Sequence, residues 1–216
     1  MNFTLINKTV LICAKRKSGK SYLLKYLTEY EQNTFYKIYV ICPTEAINNF
    51  YSSIIPKSQI YDAYSEKWTE ELINKMTTIN SNKLPNEKVN VLLILDDCIA
   101  DTDFHNSLSL KKLFVRVRHI NIAIIITTQY LNSIPPIARN NSDYILVGQL
   151  NKQSIQILID EYLAGNITKQ EFTEYYRKAT NNYGFMVING CSVKDNNNAN
   201  EIYGIIRTPR EYLKNI

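Results

Sequence analysis

The stretch TVLICAKRKSGKSYLLKYLTEY, Thr9 to Tyr30, carries the reading of the whole chain. TVLIC is a short apolar, β-branched run of the kind that forms a buried strand. A cationic loop follows and ends in SGKS, and YLLKYLTEY then has the spacing of a helix. Strand, loop and helix in this order are the setting of the phosphate-binding pattern G-x-x-x-x-G-K-[S/T]. There, backbone amides and the helix N-terminus surround phosphates, the lysine neutralises them, and the hydroxyl holds Mg²⁺. Gly19, Lys20 and Ser21 match those needs in sequence. SGKS alone could be an ordinary turn; its setting makes the phosphate reading the stronger one.

The pattern opens with Ala14 where glycine is usual. A methyl group there costs little if the position holds a negative φ. The candidate nucleotide contacts are Ala14, Lys15, Arg16, Lys17, Ser18, Gly19, Lys20, Ser21 and Tyr22. Lys15, Arg16 and Lys17 read either as solvated loop cations or, for Arg16, as a charge reaching the γ-phosphate within the same subunit.

Working outward, VNVLLILDD (89–97) and NIAIIITTQ (121–129) are almost continuously apolar, as central parallel strands covered on both faces should be. The first ends in Asp96 and Asp97. Asp96 is placed to support Mg²⁺ together with Ser21, and Asp97 to polarise an attacking water. An Asp-rich turn is the competing reading, because DDCIADTD holds four acids. A Ca²⁺ loop does not fit, since the required glycine and closing glutamate are missing. The second strand ends in Thr127, Thr128 and Gln129, at the carboxyl edge where such sheets bind ligands. Gln129 is the candidate sensor of the γ-phosphate or its water, while turn capping would equally explain the threonines.

Strands alternate with amphipathic segments along the chain, which predicts an α/β fold with a mainly parallel sheet. FYKIYVICP (35–43), SDYILVGQL (142–150) and YGFMVING (183–190) are further strands, and EAINNFYSSII (45–55) reads as a helix. The segment 151–179 predicts two short helices parted at Gly165, with Thr168 as N-cap of the second. EIYGIIRTP (201–209) is expected to pair with YGFMVING as a hairpin across the polar CSVKDNNNAN loop. The reading is one domain over 1–216, with a core of 9–150 and C-terminal helices and hairpin over 151–216.

The composition is compatible with this: 216 residues, 45% hydrophobic and 21% charged, can bury a sizeable core. A net charge of +5 permits contact with nucleic acid without demanding it. Cys13, Cys42, Cys98 and Cys191 form no C-x-x-C pair, so neither zinc nor a disulfide framework is indicated and a reducing compartment is expected. His105 and His119 are too few and too separated for a metal site. No apolar run approaches the roughly 20 residues of a membrane span, so a soluble, intracellular protein is expected.

AKRKSGKS, VLLILDD, RHINIAIIITTQ and SIPPIARNNSDYIL, in that order, make the sequence resemble the FtsK/HerA superfamily of P-loop ATPases. It is most similar to the poxvirus-type genome-packaging branch of large DNA viruses and virophages. The resemblance spans Thr9 to Gly148. It implies a P-loop NTPase fold of the RecA-like (ASCE) type, with a C-terminal β-hairpin. It also implies ATP and Mg²⁺ as cofactors, with Lys20 and Ser21 on phosphate and metal, Asp96 on metal, Asp97 on water and Gln129 as sensor. Family members are similar in extending an arginine near the start of the Gln-bearing strand into a neighbouring subunit's site. Arg118 matches that place, with Arg116, Arg139 and Arg16 as alternatives. Partners implied are double-stranded DNA, further copies in a pentameric or hexameric ring, and capsid proteins at a packaging vertex, with no membrane. The setting implied is the virion or a viral factory in the host cytoplasm. Lys111 and Lys112 are candidate DNA contacts, and a solvated helix face explains them equally well.

Competing functions use the same residues. A P-loop kinase needs a lid that the Gln129 strand argues against. A helicase or conjugation-type pump shares nearly every residue, and a non-hydrolysing switch would leave Asp97 and Gln129 idle.

Overall fold

The computed structural model describes residues 4–98, 104, 106–191 and 202–213, and for Asn48 and Arg118 the backbone alone. Asp101, Asp103, His105 and nearly all of the CSVKDNNNAN loop lie outside the described residues. In chain order the elements begin with β1 (Thr9–Cys13), α1 (Lys20–Glu31), β2 (Lys37–Ile41), α2 (Glu45–Asn48), β3 (Ile60–Tyr61), α3 (Glu66–Asn80) and β4 (Val91–Asp96). They continue with α4 (Leu108–Ile120), β5 (Ile122–Thr128), α5 (Pro136–Asn140), β6 (Tyr144–Val147), α6 (Lys152–Tyr162), α7 (Lys169–Ala179), β7 (Gly184–Asn189) and β8 (Tyr203–Arg207).

These strands form one eight-stranded sheet in the order β3-β2-β4-β5-β1-β6-β7-β8. The first six run parallel; β7 is antiparallel to β6, and β8 to β7. Thus β5 separates the strand that feeds the cationic loop from the strand that ends in the two aspartates. Every residue of β1, β4 and β5 is buried, which is why their sequences are apolar runs rather than alternations.

Period-two geometry still sorts β1 between two cores. Val10, Ile12 and Ala14 face α1 through Leu23, Leu24 and Leu27. Leu11 and Cys13 face the opposite layer, with Leu72 and Met76 of α3, Leu113 and Val117 of α4 and Leu158 of α6. Four of the helices, α3, α4, α6 and α7, begin where short polar side chains cap them. Ser65, Ser107 and Asn151 accept from Trp68, Leu110 and Ser154 amides, and Thr168 forms a reciprocal capping box with Glu171.

The expected pair of helices after β6, and the antiparallel pairing of 201–209 with 183–190, are both present. The expected helix over 45–55 is not. It stops after one turn at Asn49 (φ 47), and Tyr51–Ser53 forms a separate 3-10 turn. The Glu45 carboxylate causes the fold-back, accepting from the Tyr51 amide at 2.9 Å and the Ser52 amide at 2.8 Å.

Candidate nucleotide-binding site

The loop between β1 and α1 is suspended from its neighbours by backbone bonds. The Ala14 amide donates to Thr128 O (3.1 Å), the Lys15 amide to Gln149 O (2.8 Å), and the Gly148 amide to Cys13 O (2.9 Å). Ala14 is fully buried and is not among the positive-φ residues, so the condition for replacing glycine is met. Its methyl group has room because Gly148 lies opposite: a Cβ built on Gly148 would meet Ala14 Cβ at 2.9 Å.

The loop then turns through two left-handed residues, Lys17 (φ 60) and Gly19 (φ 85). A side chain at Gly19 would also press on Tyr183, with its Cβ 3.3 Å from the ring, so space and backbone both call for glycine there. Gly19 is the N-cap of α1 and no side chain caps that helix. Its first amides are thus left to whatever occupies the loop, an arrangement suited to an anion.

A cleft of about 390 Å³ gathers Lys15, Arg16, Lys17, Gly19, Lys20, Ser21 and Tyr22 from the loop, and Asp96, Asp97 and Gln129 from the sheet edge. Thr44, just beyond β2, completes the lining; no motif in the sequence marked it. Of the expected contacts, the side chains of Ala14 and Ser18 do not line the cleft. Ala14 is packed beneath the loop, and the Ser18 hydroxyl turns back to donate to the Lys15 carbonyl.

At the sheet edge, Asp96 stands beside Thr127 in register and is only 9% exposed. Its Oδ1 accepts from the Thr127 hydroxyl and its Oδ2 from the Tyr51 hydroxyl at 2.7 Å, with the Cys42 thiol at 3.8 Å. Asp97 turns through a left-handed conformation (φ 55), which bends the chain at the strand end. Its amide donates to Thr127 Oγ1 (3.2 Å) and its Oδ2 accepts from Gln129 Nε2 at 2.9 Å. Asp97 and Gln129, 32 residues apart in sequence, therefore act as a hydrogen-bonded pair facing the loop lysine.

Ser21 and Asp96 offer hard oxygen donors, the chemistry that suits Mg²⁺. Among the described residues no cluster of three or more His, Cys, Asp or Glu exists. Cys13 beneath the loop is no nucleophile: burial pushes its thiol up to about 12 despite the nearby Lys20 charge.

The arginines separate clearly. Arg16 is exposed at the cleft. Arg139, an expected alternative finger, is 9% exposed and engaged within its own subunit. Its Nε and Nη2 donate to Glu161 at 2.9 and 2.6 Å, and its Nη1 donates to Leu131 O and Ile134 O. The backbone of Arg118 lies in the last turn of α4, which leads into the amino end of β5. Gln129 follows the other end, seven strand residues away, or roughly 23 Å at the usual strand rise. Arg118 thus sits at the opposite edge of the sheet from its own cleft, and exposed Arg116 shares that helix.

A parallel sheet with a phosphate loop after β1, acids after β4 and a glutamine after the intervening β5 is the fold of a P-loop NTPase. The chain belongs to the family described as Poxvirus A32 protein, whose model matches residues 5–194. It is 31% identical over 202 residues to uncharacterized protein 075L of Invertebrate iridescent virus 6, covering 90% of this chain and 75% of that one. Its fold is similar to the genome packaging NTPase B204 of Sulfolobus turreted icosahedral virus 2 in complex with AMPPCP. That match has a TM-score of 0.63 and 18% identity, over 94% of this chain and 98% of B204. The pCW3 conjugation coupling protein TcpA with ATPγS matches with a TM-score of 0.53 and 15% identity, over 71% of this chain and 52% of TcpA.

Proposed function

We propose that this protein is an ATP-hydrolysing ring motor that moves double-stranded viral DNA into a capsid. The observation that carries the reading is the Asp97–Gln129 pair, hydrogen-bonded at 2.9 Å and lining the same cleft as Lys20 and Ser21. A protein that only bound nucleotide would need the loop but not this pair.

Lys20 and the uncapped amides of α1 hold the phosphates. Ser21 and Asp96 are the residues that would hold Mg²⁺, which supplies charge neutralisation at the phosphates when bound. Asp97 takes the proton of the attacking water as general base, and Gln129 orients that water. The Gln129 amide group, which donates to Asp97, has the chemistry to donate instead to water or a phosphate oxygen.

Arg118, at the far edge of its own sheet, acts on a neighbouring subunit's cleft, where it stabilises charge on the transferred phosphoryl group. Turnover then depends on assembly into a ring. DNA is held through its phosphates, with Lys111 and Lys112 of α4 as contacts, and no base readout is needed. The matching viral family and the likeness to B204 support packaging as the use of this chemistry, in the virion or viral factory.

The test is ATPase rate per subunit as a function of protein concentration, with and without double-stranded DNA. A rate that rises with concentration and again with DNA is expected. A rate flat in both would overturn the ring-motor reading.

A further inference from the structure

We propose that Tyr51 is a positioning residue of this site, its hydroxyl fixing the Asp96 carboxylate in the orientation that receives the divalent cation. The inference rests on the nucleotide and metal reading above and adds a residue that no phosphate-loop motif contains.

Asp96 is a nearly buried carboxylate whose direct partners among the described residues are neutral: the hydroxyls of Thr127 and Tyr51 and, more distantly, the Cys42 thiol. A buried carboxylate without strong donors is costly, so each hydroxyl matters to where the group points. Thr127 comes from the adjacent strand and fixes Oδ1. Among the described residues only Tyr51 fixes Oδ2 closely, because the thiol at 3.8 Å is a weak donor.

Tyr51 is well held for this task. Its side chain is completely buried, and its ring packs edge-on to Phe50 at 5.0 Å. Its amide is bonded to the Glu45 carboxylate, so the 3-10 turn that carries it is braced from behind. Packing alone would be served as well by phenylalanine; the hydroxyl is explained by Asp96. The segment after β2 therefore supplies both Thr44 to the cleft lining and the brace for its metal-side acid.

The experiment compares parent protein with Tyr51→Phe, which keeps the ring and removes the hydroxyl. Affinity for β,γ-methylene ATP is measured by calorimetry without divalent cation and across a Mg²⁺ titration. Metal-free affinity should stay within about twofold, while the Mg²⁺ concentration giving half of the affinity gain should rise about tenfold, as for removal of a group that orients a metal ligand. An unchanged Mg²⁺ midpoint, or equal losses with and without metal, would overturn the assignment. A parent protein that binds no analogue, or binds it with no response to Mg²⁺, instead removes the underlying site reading. Should the variant not fold, tyrosine labelled with ¹³C at Cζ in the parent reports directly. The Tyr51 resonance should shift when Mg²⁺ joins the bound analogue, and a resonance that ignores Mg²⁺ would overturn the proposal.

Discussion

Ala14 and Gly148 share one side-chain's worth of space. The methyl group of Ala14 lies 2.9 Å from where a Gly148 Cβ would stand, so the glycine absent from the phosphate loop is answered by a glycine after β6. Gly148→Ala would also drive its methyl to 2.9 Å from the Phe185 ring. Overpacking of this kind destabilises by about 1–3 kcal/mol, and here the displaced atoms carry the loop. Thermal unfolding and nucleotide affinity should both drop in Gly148→Ala. The double variant with Ala14→Gly should recover part of the loss, since the two sites are in contact. Additive effects would show that the two positions do not compete for space.

Asp97→Asn isolates the water-activating step. Asparagine tolerates the left-handed backbone that Asp97 adopts at φ 55, so the turn survives the change. Nucleotide affinity should be retained while turnover falls by about 10²–10⁴-fold, the usual contribution of a general base. Retained turnover would assign the water to another residue.

The two arginines should behave oppositely in mixing experiments. Arg118→Ala mixed with Lys20→Ala should recover activity in mixed rings, because each variant can supply what the other lacks. Arg139→Met should not be complemented by any partner. It strands Glu161 and frees the Leu131 and Ile134 carbonyls, and should lower stability by about 3 kcal/mol, at the modest end for a buried pair because Glu161 still meets water. Chemical denaturation measures the second effect and ATPase rate the first.

Alkaline titration should expose the buried phenols. Burial raises Tyr51 and Tyr162 and brings Tyr176 to about 12; Cys13 is also pushed to about 12. All are groups whose neutral form the fold favours. The contribution of Cys13 is complete below about pH 8.5 and that of the tyrosines below about pH 10, the pKa values of the unfolded groups, and each is lost as pH rises through its higher folded value. Tyrosinate absorbance should show the exposed rings ionising first, and the buried set only as circular dichroism is lost. Ionisation of every tyrosine near pH 10 with the fold intact would contradict this burial.

Elements whose signals are local can be read from the order of residues alone. Continuous apolar runs marked β1, β4 and β5, because strands covered on both faces leave no polar alternation. SGKS after the first run, two aspartates after the second and a glutamine after the third contribute residues to one cleft in the fold. Thr168 was legible as an N-cap for the same reason, and the structure adds its reciprocal bond with Glu171, three residues on.

Contacts between residues distant in sequence were not legible in this way. The amphipathic pattern of 45–55 could not show that Glu45 would bond the Tyr51 and Ser52 amides and end the helix after one turn. Nor could it show that Tyr51 would reach Asp96, 45 residues away. Arg139, in sequence a third candidate behind Arg118 and Arg116, is bonded to Glu161, 22 residues on. Helix and strand periodicity record which face of an element is apolar, whereas a hydrogen bond between elements depends on sheet order and register. Those are set by the packing of the whole chain.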